Sequence, residues 1–342
     1  MNASTRSSLA GRVIKAAATA VALVMTLAAC SSPSALIANA SDKSKGSNSG
    51  STTTVRIAAQ PYPLYSDIWV AYEEGYLKEE LAKAKASFTW DSFKSGPLVN
   101  EAVAAGNADV GYMADLPAII AKSTGQDISI VSNVAYGEKA LAVLVPKDSP
   151  IKSVADLKGK KVGYAVGSYA EHLLALLLSK DGLTLNDVTS ANLSADDQVA
   201  ALQNKSVDAI VIWEQYITKL EDDGTARVLA DGTGIKRGNM ITYFTTDYAK
   251  QHPEVVKAYN RAVQRGADLI NKDPDKAAAA VSKDFGVSAD QLKTIWTRLT
   301  FTTKLESADI DAIKQVEDFA WKNGILKSEV DVDKLIDTSY QN

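Results

Sequence analysis

The chain has 342 residues, 46% hydrophobic and 23% charged, the balance of a globular protein long enough for two domains. Its formal charge of −4 is diffuse, which argues against nucleic acid as a partner; a single cysteine and two histidines exclude a disulfide framework and a cysteine- or histidine-rich metal cluster. No Walker loop, GxSxG elbow or histidine-pair zinc motif occurs, so the sequence offers no catalytic constellation.

Arg6, Arg12 and Lys15 make a cationic start with no acidic residue before Cys30. The apolar run 16–27 that follows is shorter than the roughly 20 residues needed to span a bilayer. A short apolar core behind a basic head predicts a secretory signal over 1–29. The run closes on Leu27-Ala28-Ala29-Cys30, which resembles the lipobox of bacterial lipoproteins. Cys30 is therefore expected to carry a lipid anchor, which leaves no free thiol for catalysis or redox switching. Loss of the leader takes the formal charge from −4 to about −7. Residues 30–54, rich in Ser, Asn, Gly, Ala and Thr and without apolar periodicity, read as a flexible tether.

The folded part is expected to begin with a strand over 55–59. A helix over 69–75, a strand over 88–93 and a helix over 97–105 follow. The next predicted elements are a strand at 109–113, a helix at 116–122 and strands at 128–135 and 141–145. A helical turn at 156–158, a strand at 161–164 and a long helix at 169–180 come next. A strand at 208–213, a helix at 214–222 and a strand at 242–245 precede a mostly helical end from Pro253. Strands alternating with helices predict mainly parallel α/β sheets flanked by helices.

Several stretches carry a family resemblance in the right order. They are FKSGPLVNEAVAAGNADVGYMADLP at 93–117, DSPIKSVADLKGKKV at 148–162 with Val166-Gly167-Ser168, VDAIVIWEQY at 207–216, RVLADGTG at 227–234 and HPEVVKAY at 252–259. Together they resemble the aliphatic-sulfonate, taurine and nitrate binding proteins of ABC importers. The resemblance implies the periplasmic-binding-protein type II fold: two α/β lobes joined by two hinge strands. Lobe 1 is then expected over 55–145 and 241–342, and lobe 2 over 146–240.

The residues themselves suggest how an anion would be held. Helix N-termini leave amides unpaired and carry partial positive charge, so they attract anions. Three candidate starts are Ser95-Gly96-Pro97, Asp115-Leu116-Pro117 and Gly167-Ser168-Tyr169. Proline suits the first helical turn and glycine admits close approach to the backbone. All three are expected to face one cleft at the carboxyl ends of strands. Other readings stand beside these. Ser168 and Glu171 also spell a capping box, Ser95 fits a simple cap, and Asp115 either caps its helix or meets a ligand amine.

Trp213 is expected to pack on the methylenes of a ligand. Glu214 either accepts from a ligand ammonium or serves its own helix dipole. Gln60, Tyr62 and Tyr65, after the first strand, are expected to wall the cleft, with exposed surface tyrosines as the rival reading. Tyr216 reads as core or rim, and Asp196 and Asp197 as solvated helix ends. His172 falls near the cleft and His252 at the surface.

The resemblance implies a lipid-anchored monomer outside the cell, without cofactor or metal. It would capture a small anionic or zwitterionic ligand of the sulfonate or taurine type and deliver it to an ABC permease coupled to a cytoplasmic ATPase. Nitrate-like anions, aromatic ligands or thiamine precursors, and ligand presentation to a sensor, are the alternatives. An enzyme on the same scaffold is disfavoured, because the related pyrimidine-precursor synthases carry a cysteine-rich motif that this chain lacks.

Overall fold

The computed structural model describes residues 52–341. The leader, Cys30 and all but the end of the expected tether lie outside the described residues. Thr53 and Thr54, read above as tether, already pair with Ala86 and Ser87, so the fold starts two residues earlier than expected.

The chain opens with β1 (Thr53–Ala59), α1 (Ser66–Glu73), α2 (Tyr76–Lys83), β2 (Ala86–Ser92), α3 (Gly96–Ala104), β3 (Val110–Ala114), α4 (Asp115–Ser123) and β4 (Ile128–Tyr136). It then crosses into β5 (Leu141–Pro146), β6 (Lys161–Tyr164), α5 (Tyr169–Lys180), β7 (Thr189–Asn192), α6 (Ala195–Gln203), β8 (Ala209–Trp213), α7 (Tyr216–Asp222) and β9 (Ala226–Asp231). It returns through β10 (Asn239–Thr245), α8 (Thr246–Gln251), α9 (Pro253–Lys272), α10 (Pro274–Phe285), α11 (Ala289–Trp296), β11 (Thr300–Phe301), α12 (Ser307–Lys322) and α13 (Val332–Leu335).

Two sheets result, and they define the two lobes of a periplasmic-binding-protein fold. The first has the strand order β11-β4-β10-β3-β1-β2 and the second β7-β6-β8-β5-β9. β2, β1 and β3 are parallel neighbours, as are β7, β6 and β8, while β10 and β5 run against their neighbours. The lobe boundaries differ from the sequence expectation. Residues 141–145, assigned to lobe 1, pair with β8 and β9 of the second sheet. Asn239 and Met240, assigned to lobe 2, pair with β4 and β3 of the first. The reason is that hydrogen-bonded neighbours decide a strand's sheet: β5 lies between β8 and β9 and β10 between β4 and β3, so the chain changes lobes at 137–140 and 232–238.

The first sheet is covered on both faces, and its side chains alternate accordingly. Ile57, Val110, Tyr112 and Phe244 enter one apolar cluster with α1 and α9, whereas Ala58, Met113, Ile241 and Tyr243 enter the other with α3, α4 and α12. Gly266 on α9 lets that helix lie against α1, since a Cβ there would collide with the Asp67 carbonyl. The crossings are similarly tight. The Gly137 amide donates to the Arg237 carbonyl at 3.1 Å and the Gly232 amide to the Glu138 carbonyl at 2.8 Å. A Cβ on Gly137 would strike the Arg298 carbonyl, and one on Gly238 would lie 2.9 Å from the Gly137 carbonyl.

Candidate binding cleft between the lobes

A cavity of about 400 Å³ lies where the parallel strands of both sheets end. From the first sheet come Gln60 and Tyr62 after β1, Ser95 and Gly96 at the start of α3, and Ala114 and Pro117 around the start of α4. From the second come Val166, Ser168 and Tyr169 after β6, Ser194 and Asp196 after β7, and Trp213 closing β8. Carboxyl ends of parallel strands are where open α/β sheets bind ligands, because the following helices aim their first amides there.

The helix starts are shaped for close approach. Ser95 precedes α3 without a side-chain cap, so the first amides of α3 are not closed off by it. A Cβ on Gly96 would sit 3.1 Å from the Pro117 ring, so glycine is what brings the starts of α3 and α4 together. Ser168 does cap α5: its hydroxyl accepts from the Ala170 amide at 3.2 Å and donates to the Ala165 carbonyl at 2.6 Å. Glu171 accepts from the Gly167 amide at 2.8 Å instead of the Ser168 amide, so the expected capping box is shifted by one residue.

Aromatic rings make the floor. Trp213 meets Tyr62 edge-on at 6.3 Å and Tyr169 at 5.9 Å, so rings of both lobes converge on it. Tyr65 packs on Tyr112 behind them. Gln60 is fixed by its Nε2 donating to the Tyr112 carbonyl at 2.7 Å and by its carbonyl accepting from Trp69 Nε1 at 2.9 Å. The Tyr62 hydroxyl donates to the Lys94 carbonyl at 2.6 Å. Burial, with Asp196 nearby, pushes its pKa up to about 12. The Tyr169 hydroxyl is buried and has no hydrogen-bond partner. Burial drives its pKa well above the ordinary phenol range, so it remains a donor. An unpaired buried donor costs about 1–3 kcal/mol unless something accepts from it. The lining holds one cation, Lys94, and one carboxylate, Asp196.

Three expected site residues are not in the lining. Asp115 is closed off: its Oδ1 accepts from the Leu116 amide at 2.8 Å and its Oδ2 from Lys236 at 2.8 Å, with both charged side chains almost fully buried. Leu116 turns into the apolar cluster under α4, as the residue after a strand-to-helix turn does when its helix packs on the sheet. Glu214 is fully buried and already accepts from the Thr218 amide and hydroxyl at 3.1 Å each and from Arg298 at 2.6 Å. Its burial raises its pKa, against the pull of Arg298. Both oxygens of each carboxylate are already engaged and neither residue lines the cavity, so the role of ammonium acceptor considered for each does not fit this structure. The structure brings the other eight candidates together: Gln60, Tyr62, Tyr65, Ser95, Gly96, Ser168, Tyr169 and Trp213.

Sequence reading missed the start of α6. Ser194, Ala195 and Asp196 line the cavity, and Asp196 Oδ1 accepts from the Tyr216 hydroxyl at 2.9 Å. The signal was present: Ser194 three residues before Asp197 is an N-cap pattern, and the Ser194 hydroxyl accepts from the Asp197 amide.

Residues 65–277 match the family model described as NMT1/THI5 like. The chain belongs to the NMT1/THI5-like family. Among its relatives is an Escherichia coli (strain K12) protein named for binding aliphatic sulfonates, 29% identical over 84% of this chain and 92% of that protein. A Bacillus subtilis (strain 168) protein of the same description is 26% identical over 80% of this chain and 83% of its own. Among solved structures, the alkanesulfonate-binding protein SsuA from Xanthomonas axonopodis pv. citri, bound to MOPS, superposes with a TM-score of 0.77 at 27% identity. The match covers 85% of this chain and all of that one. The two-lobed architecture of this NMT1/THI5-like chain is thus the one on which those binding proteins are built.

Proposed function

We propose that this protein captures a small organic sulfonate between its lobes, outside the cytoplasm, and delivers it to an ABC permease. The observation that carries the reading is the convergence of helix starts from both lobes on an aromatic-floored cavity whose lining includes Tyr169, a residue with a buried and unpartnered hydroxyl. The relatives' names support the sulfonate class. So does the donor set. Amides and hydroxyls suit a diffuse, weakly basic sulfonate, whereas a phosphate usually recruits arginine, and no arginine lines the cavity. Affinity comes from preorganised donors and from hydrophobic cover over the ligand's carbon chain. Gln60, Tyr62, Tyr65, Ser95, Gly96, Ser168, Tyr169 and Trp213 are the proposed contacts. Lobe 1 comprises 52–136 with 239–341, lobe 2 comprises 141–231, and they close as rigid bodies about the two crossings.

Cys30 is the proposed lipid attachment point, with 31–51 as the tether that holds the binding domain near its transporter. Intact-mass analysis of the membrane-extracted protein, and release of a Cys30→Ser variant into the medium or periplasm, test the anchor.

A thermal-shift and calorimetric screen of alkanesulfonates, taurine, nitrate and sulfate tests the ligand class. A sulfonate at 100 times its Kd raises stability by about 2.7 kcal/mol. A screen in which nitrate or sulfate binds and no sulfonate does would overturn the reading. One observation favours a second reading, an aminosulfonate ligand: Asp196 is the single carboxylate in the lining and has one oxygen not engaged by Tyr216. Taurine binding that is lost in Asp196→Asn, with alkanesulfonate binding retained, would select it.

A further inference from the structure

Large apolar side chains that stay in water are few: among the described residues only Leu98, Val166 and Trp321 are exposed, at 42%, 50% and 44%. Two of these three border the same cavity. Leu98 stands in the first turn of α3, on the first lobe, and Val166 on the turn between β6 and α5, on the second. Their positions are fixed by their backbones. The Val166 amide donates to Asn192 Oδ1 at 3.1 Å, and Leu98 is held in the first turn of its helix. The cavity is therefore graded. Tyr65, Tyr169 and Trp213 are buried at its floor, while Leu98 and Val166 stand at its rim.

We propose that Leu98 and Val166 form a two-sided apolar lip that selects sulfonates by the length of their apolar body. The inference rests on the sulfonate reading above. A headgroup engaged by the helix starts leaves its first carbons over Trp213 and Tyr62. Carbons beyond those reach the rim, where they remove apolar surface of both lips from water at once. Because one lip belongs to each lobe, that burial exists only when the lobes are together, and a long chain favours closure more than a short one. The occupant follows from continuity: the lips are part of the lining of the cavity that takes the headgroup, so the group that covers them is the same ligand's tail.

Calorimetry with methane-, butane-, hexane- and octanesulfonate on the purified full-length protein tests this. Wild-type affinity is expected to rise about two- to fourfold for each methylene that reaches the rim. In Leu98→Ser/Val166→Ser the ratio of octane- to methanesulfonate affinity is expected to fall at least tenfold. Trp321→Ser, an exposed apolar residue outside the lining, is expected to keep the wild-type ratio. Sulfonates that bind with no dependence on chain length, or a lip variant that keeps the wild-type ratio, would overturn the lip and leave the sulfonate reading standing. Failure of every sulfonate to bind would overturn both. A tail-independent loss of uptake in cells carrying the lip variant, with calorimetry unchanged, would assign the lips to the permease instead and overturn the inference.

Discussion

Lys236 Nζ lies 2.8 Å from Asp115 Oδ2 and 3.0 Å from His172 Nδ1, so a lysine in one crossing joins the first turn of α4 in lobe 1 to α5 in lobe 2. The contact is buried immediately behind the cleft, and the His172 ring stacks on Phe319 of α12 at 4.4 Å. On the other flank, Arg298, ahead of β11, reaches Glu214 and Glu221 of lobe 2 at 2.6 and 2.9 Å. Gln291 Nε2, donating to Asp222 Oδ2 at 3.2 Å, adds a further polar tie between the lobes beside Glu221.

Breaking the first tie on one side is expected to be costly. Asp115→Ala leaves the Lys236 ammonium buried without a counter-charge, and chemical denaturation should show a loss of about 3–5 kcal/mol. The double variant Asp115→Leu/Lys236→Met removes both charges and should recover most of that loss. A single variant within 1 kcal/mol of wild type would show the pair to be energetically idle.

His172 gives the stability a pH dependence. Burial, with the neighbouring Lys236, holds its pKa down to about 2, against about 6.5 in an unfolded chain. The unfolded state takes up a proton below 6.5 and the folded state does not, so stability is lost as pH falls. That contribution is complete above 6.5, and about 2 kcal/mol of it is lost by pH 5. The buried carboxyls Asp67 and Glu214, raised by desolvation, act in the opposite sense. The clean measurement is the difference between wild type and His172→Gln across pH 5–7, which should carry the histidine slope alone. Parallel pH profiles would refute it.

Tyr169→Phe removes the orphaned donor while keeping the ring against Trp213. Hydrogen bonds to charged groups contribute about 1.5–3 kcal/mol, so sulfonate affinity should fall roughly 10- to 100-fold. Since the hydroxyl has no partner within the protein, the melting temperature of the ligand-free variant should stay level or rise. Trp213→Ala should weaken binding as well but also lower stability, because its ring is part of the floor that both lobes share. Paired calorimetry and melting curves separate the two behaviours.

Gly137→Ala is expected to destabilise by about 2 kcal/mol or more, since its methyl group meets the Arg298 carbonyl and backbone at the crossing must move. Gly182→Ala is the comparison: its Cβ would meet no atom within 4 Å, and only the left-handed backbone, φ +71°, is strained there. Denaturant midpoints showing the two variants equally affected would mean that the crossing yields to a methyl group.

Much of this was legible in the chain. Short apolar strands alternating with helices, the helix starts around Ser95, Pro117 and Ser168, and the family resemblance of the ordered motifs already implied two α/β lobes around a ligand cleft. What stayed hidden depended on long-range partners. Nothing local in Asp115 or Glu214 distinguishes a cleft carboxylate from one neutralised by Lys236, 121 residues away, or by Arg298, 84 residues away. Leu116 and its neighbour Pro117 share one turn, yet only the helix's rotation decides that Pro117 faces the cavity and Leu116 the core. The lobe boundaries slipped for a similar reason: β5 and β10 are apolar strands whose sheet is chosen by pairing, which their own residues do not encode.

The strand order of the first sheet also dictates a sequence of assembly. β10 lies between β3 and β4, so neither has its neighbour on that side until residues 239–245 have been synthesised. The second sheet, by contrast, is one uninterrupted stretch from 141 to 231 and is complete before that strand leaves the ribosome. The cleft-facing ends of β1 and β3 therefore acquire a finished scaffold only after the whole second sheet has been made.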